Sequence, residues 1–144
     1  MIQRVSRARV LVEGSEQSAI PRGLLVLLGV SGTDGSSDAS WMCGKISRLR
    51  IFPDEQGLMN LSVKDAGGEV LVVSQFTLLA DARKGNRPSF TDAAEPVLAQ
   101  RLYLEVVEGL RGEGLPVKTG VFGALMQVEL NNDGPVTIIL ESDK

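Results

Sequence analysis

A chain of 144 residues is about the size of one domain, and no apolar run in it approaches the ~20 residues that cross a bilayer. Hydrophobic residues make up 43% and charged residues 23%, an ordinary globular balance, while a net charge of −3 excludes a general polyanion binder. With no histidine and one cysteine, Cys43, the chain cannot use Ser-His-Asp or Cys-His catalysis, a histidine zinc site or an internal disulfide.

Met1 to Val12 reads as a strand, with Ala8, Val10 and Val12 on one face and Arg7, Arg9 and Leu11 on the other. Arg4 lies in the same strand. Glu13 to Glu16 is a turn, and Gln17 to Ile20 a short returning strand. Leu24 to Val30 is a fully apolar run suited to a central strand. Its Gly29 and the following Gly32 do not make a Gly-x-Gly-x-x-Gly fingerprint, so a dinucleotide site has little support. Ser37 or Asp38 caps a helix whose apolar positions are Ala39, Met42, Ile46 and Leu49. Cys43 lies beside that stripe as a small core residue. After a turn at Pro53 to Gly57, Met59, Leu61 and Val63 alternate as a half-exposed strand.

Glu69 to Leu79 (EVLVVSQFTLL) begins as a buried strand and is broken by Ser74 and Gln75. The break is either a strand end reaching solvent or one that presents donors to a ligand. Buried polar groups need partners, because an unmet one costs about 1–3 kcal/mol. The next residues, ADARKGNRPSF, are polar and basic, with Gly85 and Pro88 excluding regular structure. Arg83, Lys84 and Arg87 there make a local phosphate contact plausible, although on the residues alone an ordinary solvated loop is the favoured reading. Thr91 or Asp92 is the expected cap of a long helix with the stripe Ala94, Val97, Leu98, Leu102, Val106 and Leu110. Leu115 to Phe122 reads as a strand, and Leu125, Met126, Val128 and Leu130 as another. Asn131 to Pro135 reads as a turn, and Val136 to Leu140 as the last strand. No repeat or linker interrupts residues 1–144, which read as a single domain. The N-terminus lacks a charged-then-apolar-then-small pattern, so export is not expected, and the lone cysteine fits a reducing cytoplasm.

Three motifs interrupt plain core segments: Ser74-Gln75-Phe76-Thr77-Leu78, Lys84-Gly85-Asn86-Arg87-Pro88-Ser89-Phe90 and Asn132-Asp133-Gly134-Pro135-Val136-Thr137. In this order, with Ile2-Gln3-Arg4-Val5 and the run from Gly23 to Val30, the chain closely resembles the D-aminoacyl-tRNA deacylase family. That resemblance implies an α/β domain of three layers, β/β/α, with mixed, largely antiparallel strands and two main helices, working as a homodimer. It implies hydrolysis of the ester between a D-amino acid and the terminal adenosine of tRNA, and of mischarged glycyl-tRNA, in chiral proofreading. No cofactor, metal, membrane or DNA partner is expected. By the same resemblance Ser74, Gln75, Phe76 and Thr77 are the catalytic motif. Gly134 and Pro135, in a cis bond, reach in from the partner, with Asn132 and Thr137 in the same motif. Arg4 braces that motif, and Phe122 and Met126 line an adenine pocket. For an arbitrary X-Pro bond a cis state has only ~5–6% odds.

The residue types suit the chemistry. An aminoacyl ester is activated and has a ribose hydroxyl beside it, so hydrolysis needs a positioned water and donors for the oxyanion. Backbone amides near Phe76 and Thr77 are candidate donors. Thr77 is a nucleophile by residue type, but no histidine can activate it, and a threonine hydroxyl alone is a poor nucleophile. The expectation is that Thr77 orients the ester and the RNA assists. A non-catalytic tRNA-end or nucleotide binding module of the same fold is the alternative.

Overall fold

The apolar runs at residues 24–28 and 70–73 form adjacent parallel strands, and the rest of the sheet is laid beside them. The computed structural model describes residues 1–142. Its strands are β1 (Ile2–Val12), β2 (Ser15–Ile20), β3 (Gly23–Leu28), β4 (Phe52–Pro53), β5 (Met59–Leu61), β6 (Glu69–Ser74), β7 (Val117–Thr119) and β8 (Gln127–Ile138). The helices are α1 (Ser36–Arg48) and α2 (Pro96–Gly112), and Phe76–Leu79 forms a 3-10 turn. The main sheet runs β2-β1-β3-β6-β7, with β8 also on β1, while β4 and β5 form a small hairpin. The β3–β6 and β6–β7 pairings are parallel, and the pairings of β1 with β2, β3 and β8 are antiparallel. The architecture is therefore a mixed α/β fold with a sheet-dominated core and two helices.

The sheet has two apolar faces. On one, Ile2, Leu24, Val26, Val70 and Val72 pack against Ala39, Cys43 and Ile46 of α1 and Leu102, Val106 and Leu110 of α2. On the other, Val5, Ala8, Val10, Ile20, Leu25, Leu71 and Val73 form a second cluster. That second face is closed by the sheet itself. β1 changes register at three places along its pairings, and β2 comes across β6 and β7. Ser18 Oγ donates to the Thr119 carbonyl (2.7 Å), and Lys118 Nζ to the Ala19 carbonyl (2.8 Å). Bulges of this kind bend a strand and increase its twist.

As the polar break suggested, β6 ends at Ser74, and the Gln75 amide donates to the Leu28 carbonyl (2.9 Å) as the chain turns into the 3-10 segment. Four other expectations are corrected. First, the half-exposed strand expected over Met59, Leu61 and Val63 ends at Leu61, and Val63 lies fully buried in the turn that follows. Second, α2 begins at Pro96, not after Thr91 or Asp92. The Asp92 carbonyl accepts from Gly32 (3.0 Å), and the Ala94 amide donates to Val30 (2.9 Å), so this stretch is tied to the end of β3. Proline at the first helical position then sets the start, and Val97 is exposed, off the stripe. Third, the strand expected over Leu115 to Phe122 is confined to Val117–Thr119, and Phe122 lies in a turn. Fourth, Asn131 to Pro135 does not separate two strands: β8 runs through it. In α1, Asp38 does cap, but from inside the first turn, its carboxylate accepting from the Gly35 amide (2.9 Å). Cys43 is buried, as expected of a core residue, and that burial pushes its thiol pKa up.

Among the described residues no helix is long and apolar enough to cross a membrane. Tyr103 ties the helical layer to the strand that carries the first motif: its hydroxyl donates to the Val72 carbonyl at 3.0 Å in a buried setting. Removing that hydroxyl in Tyr103→Phe is expected to cost about 0.5–1.5 kcal/mol of stability, read from urea unfolding, because the buried Val72 carbonyl loses one donor while keeping the Gly120 amide. An unchanged unfolding midpoint would show that the hydroxyl is not part of the clamp.

Candidate active site

The first motif stands at the end of the best-buried strand. Val70 to Val73 are at most 1% exposed, Val70 to Val72 are paired on both edges, and Ser74 is held beside Leu28. Burial falls away within three residues. Gln75 is half-buried, and Phe76 is 57% exposed. The 3-10 turn is packed tightly on the end of β3: a Cβ on Gly29 would lie 2.6 Å from Leu79 Cδ2 and 3.2 Å from the Gln75 carbonyl oxygen. Within the turn Gln75 Nε2 donates to Thr77 Oγ1. The Ala80 amide closes on the Thr77 carbonyl (3.1 Å). The first amides of such a turn have no acceptor inside it, which leaves those of Phe76 and Thr77 to outside partners.

The second motif is an excursion from β8. Gln3 faces Thr137 and Val5 faces Asn132, so opposite the single residue Arg4 the strand spends Asp133 to Val136. Three contacts hold this loop. Asn132 Oδ1 accepts from the Val136 amide (2.8 Å), and Asn132 Nδ2 donates to Thr137 Oγ1 (3.0 Å). Arg4 Nε donates to the Asp133 carbonyl (3.0 Å), while its Nη1 donates to the Ile51 carbonyl (2.7 Å). Arg4 is only 12% exposed, with its charge partly met by the Asp133 carboxylate at 3.6 Å. The Gly134-Pro135 bond is cis, and Gly134 has φ +136°. A Cβ there would sit 2.8 Å from Val136 Cγ2 and 3.0 Å from the Val136 amide nitrogen, so the position needs glycine on both counts. Asn132 and Thr137, singled out with the substrate in view, spend polar groups on each other.

The two motifs do not meet within one chain. The Gly-Pro loop lies level with Arg4, Leu24 and Val70, and Ser74 is four residues further along β6. Strand spacings put them ~14 Å apart across β8-β1-β3-β6 and ~13 Å along the strands, or roughly 20 Å in all. A cavity of about 510 Å³ opens beside the 3-10 turn, with Leu28, Gly29, Leu78 and Leu79 in its wall, but neither Thr77 nor Pro135 lines it. Phe122 is half-buried with its ring 5.9 Å from that of Tyr103. Met126 is also half-buried, its sulfur 3.4 Å from the Val121 amide.

The basic loop is a closed strap. Asp81 and Ser89 exchange two backbone hydrogen bonds of 2.8 Å. The Asp81 carboxylate accepts from the Arg83 side chain (2.6 and 2.9 Å) and amide (3.0 Å), which holds its pKa below the usual carboxylate range. Lys84 and Arg87 are exposed between these anchors. Sequence reasoning missed the Asp81–Arg83 lock, though the short spacing of the two residues was its signal.

The profile of the D-Tyr-tRNA(Tyr) deacylase family matches residues 1–141. The chain belongs to the D-aminoacyl-tRNA deacylase family. A D-aminoacyl-tRNA deacylase of Anaeromyxobacter dehalogenans is 61% identical over 99% of this chain and 95% of its own length. One from Thermotoga petrophila is 58% identical over 100% and 97%. A solved structure titled c-Myc DNA Unwinding Element Binding Protein superposes with a TM-score of 0.93 at 47% identity, covering 99% of this chain and 97% of that one. A probable eukaryotic D-amino acid tRNA deacylase, 16% identical and covering 92% of each chain, has a TM-score of 0.76 and shares the fold. Membership in the deacylase family makes the chain a hydrolase of the aminoacyl-tRNA ester.

The Arg4 fork joins two segments that no lysine could span with the same geometry. Arg4→Lys should therefore cost about 1.5–3 kcal/mol, and the Val136 amide should exchange with solvent faster than in the parent, measured by NMR. Unchanged exchange at Val136 would show that Asn132 alone holds the Gly-Pro loop.

Proposed function

We propose that two copies of this chain build each active site, the Ser74-Gln75-Phe76-Thr77 turn of one facing the Gly134-Pro135 loop of the other. The wide separation of the two motifs inside one chain supports this reading. So does the open edge of β8, whose exposed Gly134 and Pro135 face no other part of the described chain's first motif. The domain, taken as one unit over residues 1–144, is read as three layers, β/β/α, with the helices outermost on one side. It works in the cytoplasm on the aminoacylated 3′ end of tRNA, with no membrane or DNA partner.

The observation that carries the mechanism is the bond from Gln75 to Thr77. Neither end of a carboxamide is a base, so the Thr77 hydroxyl is oriented and not activated. Thr77 then positions the ester. The amides of Phe76 and Thr77 stabilise the oxyanion as it forms, and the neighbouring ribose hydroxyl takes part in moving the proton from water. Ser74 and Gln75 hold the turn. The partner's Gly-Pro loop leaves room for a hydrogen and an ammonium group on Cα and collides with an L side chain. Glycine, with no side chain, passes the same filter. Phe122 and Met126 bound the adenine side.

Three measurements test this. Incubation with D-aminoacyl-tRNA should release the free D-amino acid, while the L form stays intact and glycyl-tRNA is cleaved. Binding without release would favour the alternative, a non-catalytic tRNA-end or nucleotide module of the same fold, and equal cleavage of D and L esters would remove the Gly-Pro filter. Thr77→Ala should lower turnover about 10²-fold or less while leaving residual hydrolysis, since an orienting group is lost but the oxyanion donors remain; abolished turnover with intact binding would make Thr77 the nucleophile. Lys84 and Arg87 are assigned to phosphates near the acceptor end. Lys84→Ala should reduce the slope of log K against log salt for tRNA binding by about 0.7–0.9, one phosphate's worth. An unchanged slope would leave the loop a solvated strap.

A further inference from the structure

Four phenylalanines occur in the chain, and two of them, Phe52 and Phe122, belong to or pack on the helix-side core. The other two, Phe76 and Phe90, belong to neither core cluster, and they touch each other. Their ring centroids are 5.1 Å apart at 72°, an edge-to-face pair. Phe76 is the motif residue between Gln75 and Thr77, and it projects from the turn with more than half its surface in solvent. Phe90 lies at the far end of the basic strap, fourteen residues on in the chain.

The mount of Phe90 is rigid on both sides. Just before it, Ser89 is bonded twice to Asp81 at 2.8 Å. Just after it, the Phe90 carbonyl accepts from the Ala93 amide (3.1 Å), Ala93 bridges to Ser31, and the Ala94 amide donates to Val30 (2.9 Å). Both anchors lead back to β3: Val30 and Ser31 continue from it directly, and its Leu28 carbonyl holds the Gln75 amide. A ring fixed in this way can restrict a second ring that its own turn leaves exposed.

We propose that Phe90 is a positioning residue for ester hydrolysis: its ring holds Phe76, and through it the Gln75–Thr77 pair, in the orientation that faces the substrate. The inference rests on the reading of residues 74–77 as the active-site turn. It gives the strap two roles, with Lys84 and Arg87 at its tip toward phosphate and Phe90 at its root toward the reacting end.

The test uses the full chain, with kcat and KM measured on D-aminoacyl-tRNA for the parent, Phe90→Leu and Phe90→Tyr. Labelling with 4-fluorophenylalanine gives four fluorine resonances in the parent, with that of Phe76 assigned by Phe76→Leu. Phe90→Leu is expected to lower kcat about tenfold with KM within about twofold, because misplacement of the reacting geometry acts on the chemical step. Phe90→Tyr keeps the ring edge and should return kcat to near the parent value. In Phe90→Leu the Phe76 resonance should shift or broaden while those of Phe52 and Phe122 stay in place. Parent-like kcat in Phe90→Leu, a loss carried by KM, or a loss that tyrosine does not restore would overturn the inference. So would movement of all remaining resonances together with a lowered melting temperature, which marks a folding residue. A parent enzyme that releases no amino acid overturns the functional reading and this inference with it; an active parent with an indifferent Phe90→Leu overturns the inference alone.

Discussion

The structure depends on β6 being saturated. Val70 to Val73 are covered on both faces by the two apolar clusters, and both edges of Val70 to Val72 are taken by β3 and β7. A strand so placed cannot slide, since a one-residue slip would reverse every side chain between two different cores. Its last residue is therefore a fixed point. The turn that follows inherits that precision while lying in solvent, which is what the proposed active-site turn requires.

Holding a site without histidine shifts the work to backbone and to neutral hydrogen bonds. Asn132 satisfies an amide and a hydroxyl, Arg4 satisfies carbonyls of two segments, and Gln75 occupies the hydroxyl of Thr77. The only charged side chain among these, Arg4, lies mostly buried and is used as a brace. The strap next to the first motif carries outward positive charge, since Asp81 locks Arg83 and leaves Lys84 and Arg87 exposed. An acidic chain thus carries a small cationic surface beside its candidate site.

Much of this was legible in the sequence, and the misreadings share a cause. Unbroken apolar runs at residues 24–28 and 70–73 signal strands buried on both faces, and they are. The stripe Leu102, Val106, Leu110 likewise buries one side of α2. Phe76 to Leu79 was legible as apolar but not as 3-10, because a four-residue run fits a strand or a tight turn equally. Asn-Asp-Gly-Pro is a turn signal by residue type, and the chain does turn there; what no local signal reveals is that β1 stays paired before and after, so the turn is a bulge within β8. Thr91 and Asp92 have the chemistry of caps, but their stretch is tied to Val30 and Gly32, a tertiary bond invisible in the local pattern. The Arg4–Ile51 bond spans 47 positions and has no sequence signature at all.

On the proposed reading the Gly134-Pro135 loop is the wall that selects chirality, and this has a consequence for how specificity can change. Its surface is a peptide backbone and a ring, and Gly134 admits no Cβ. A pocket lined by long side chains can be widened or narrowed one methylene at a time, and its selectivity drifts accordingly. A wall with almost nothing to trim offers no such gradient: descendants of this sequence can keep it or lose it, with few intermediate settings between.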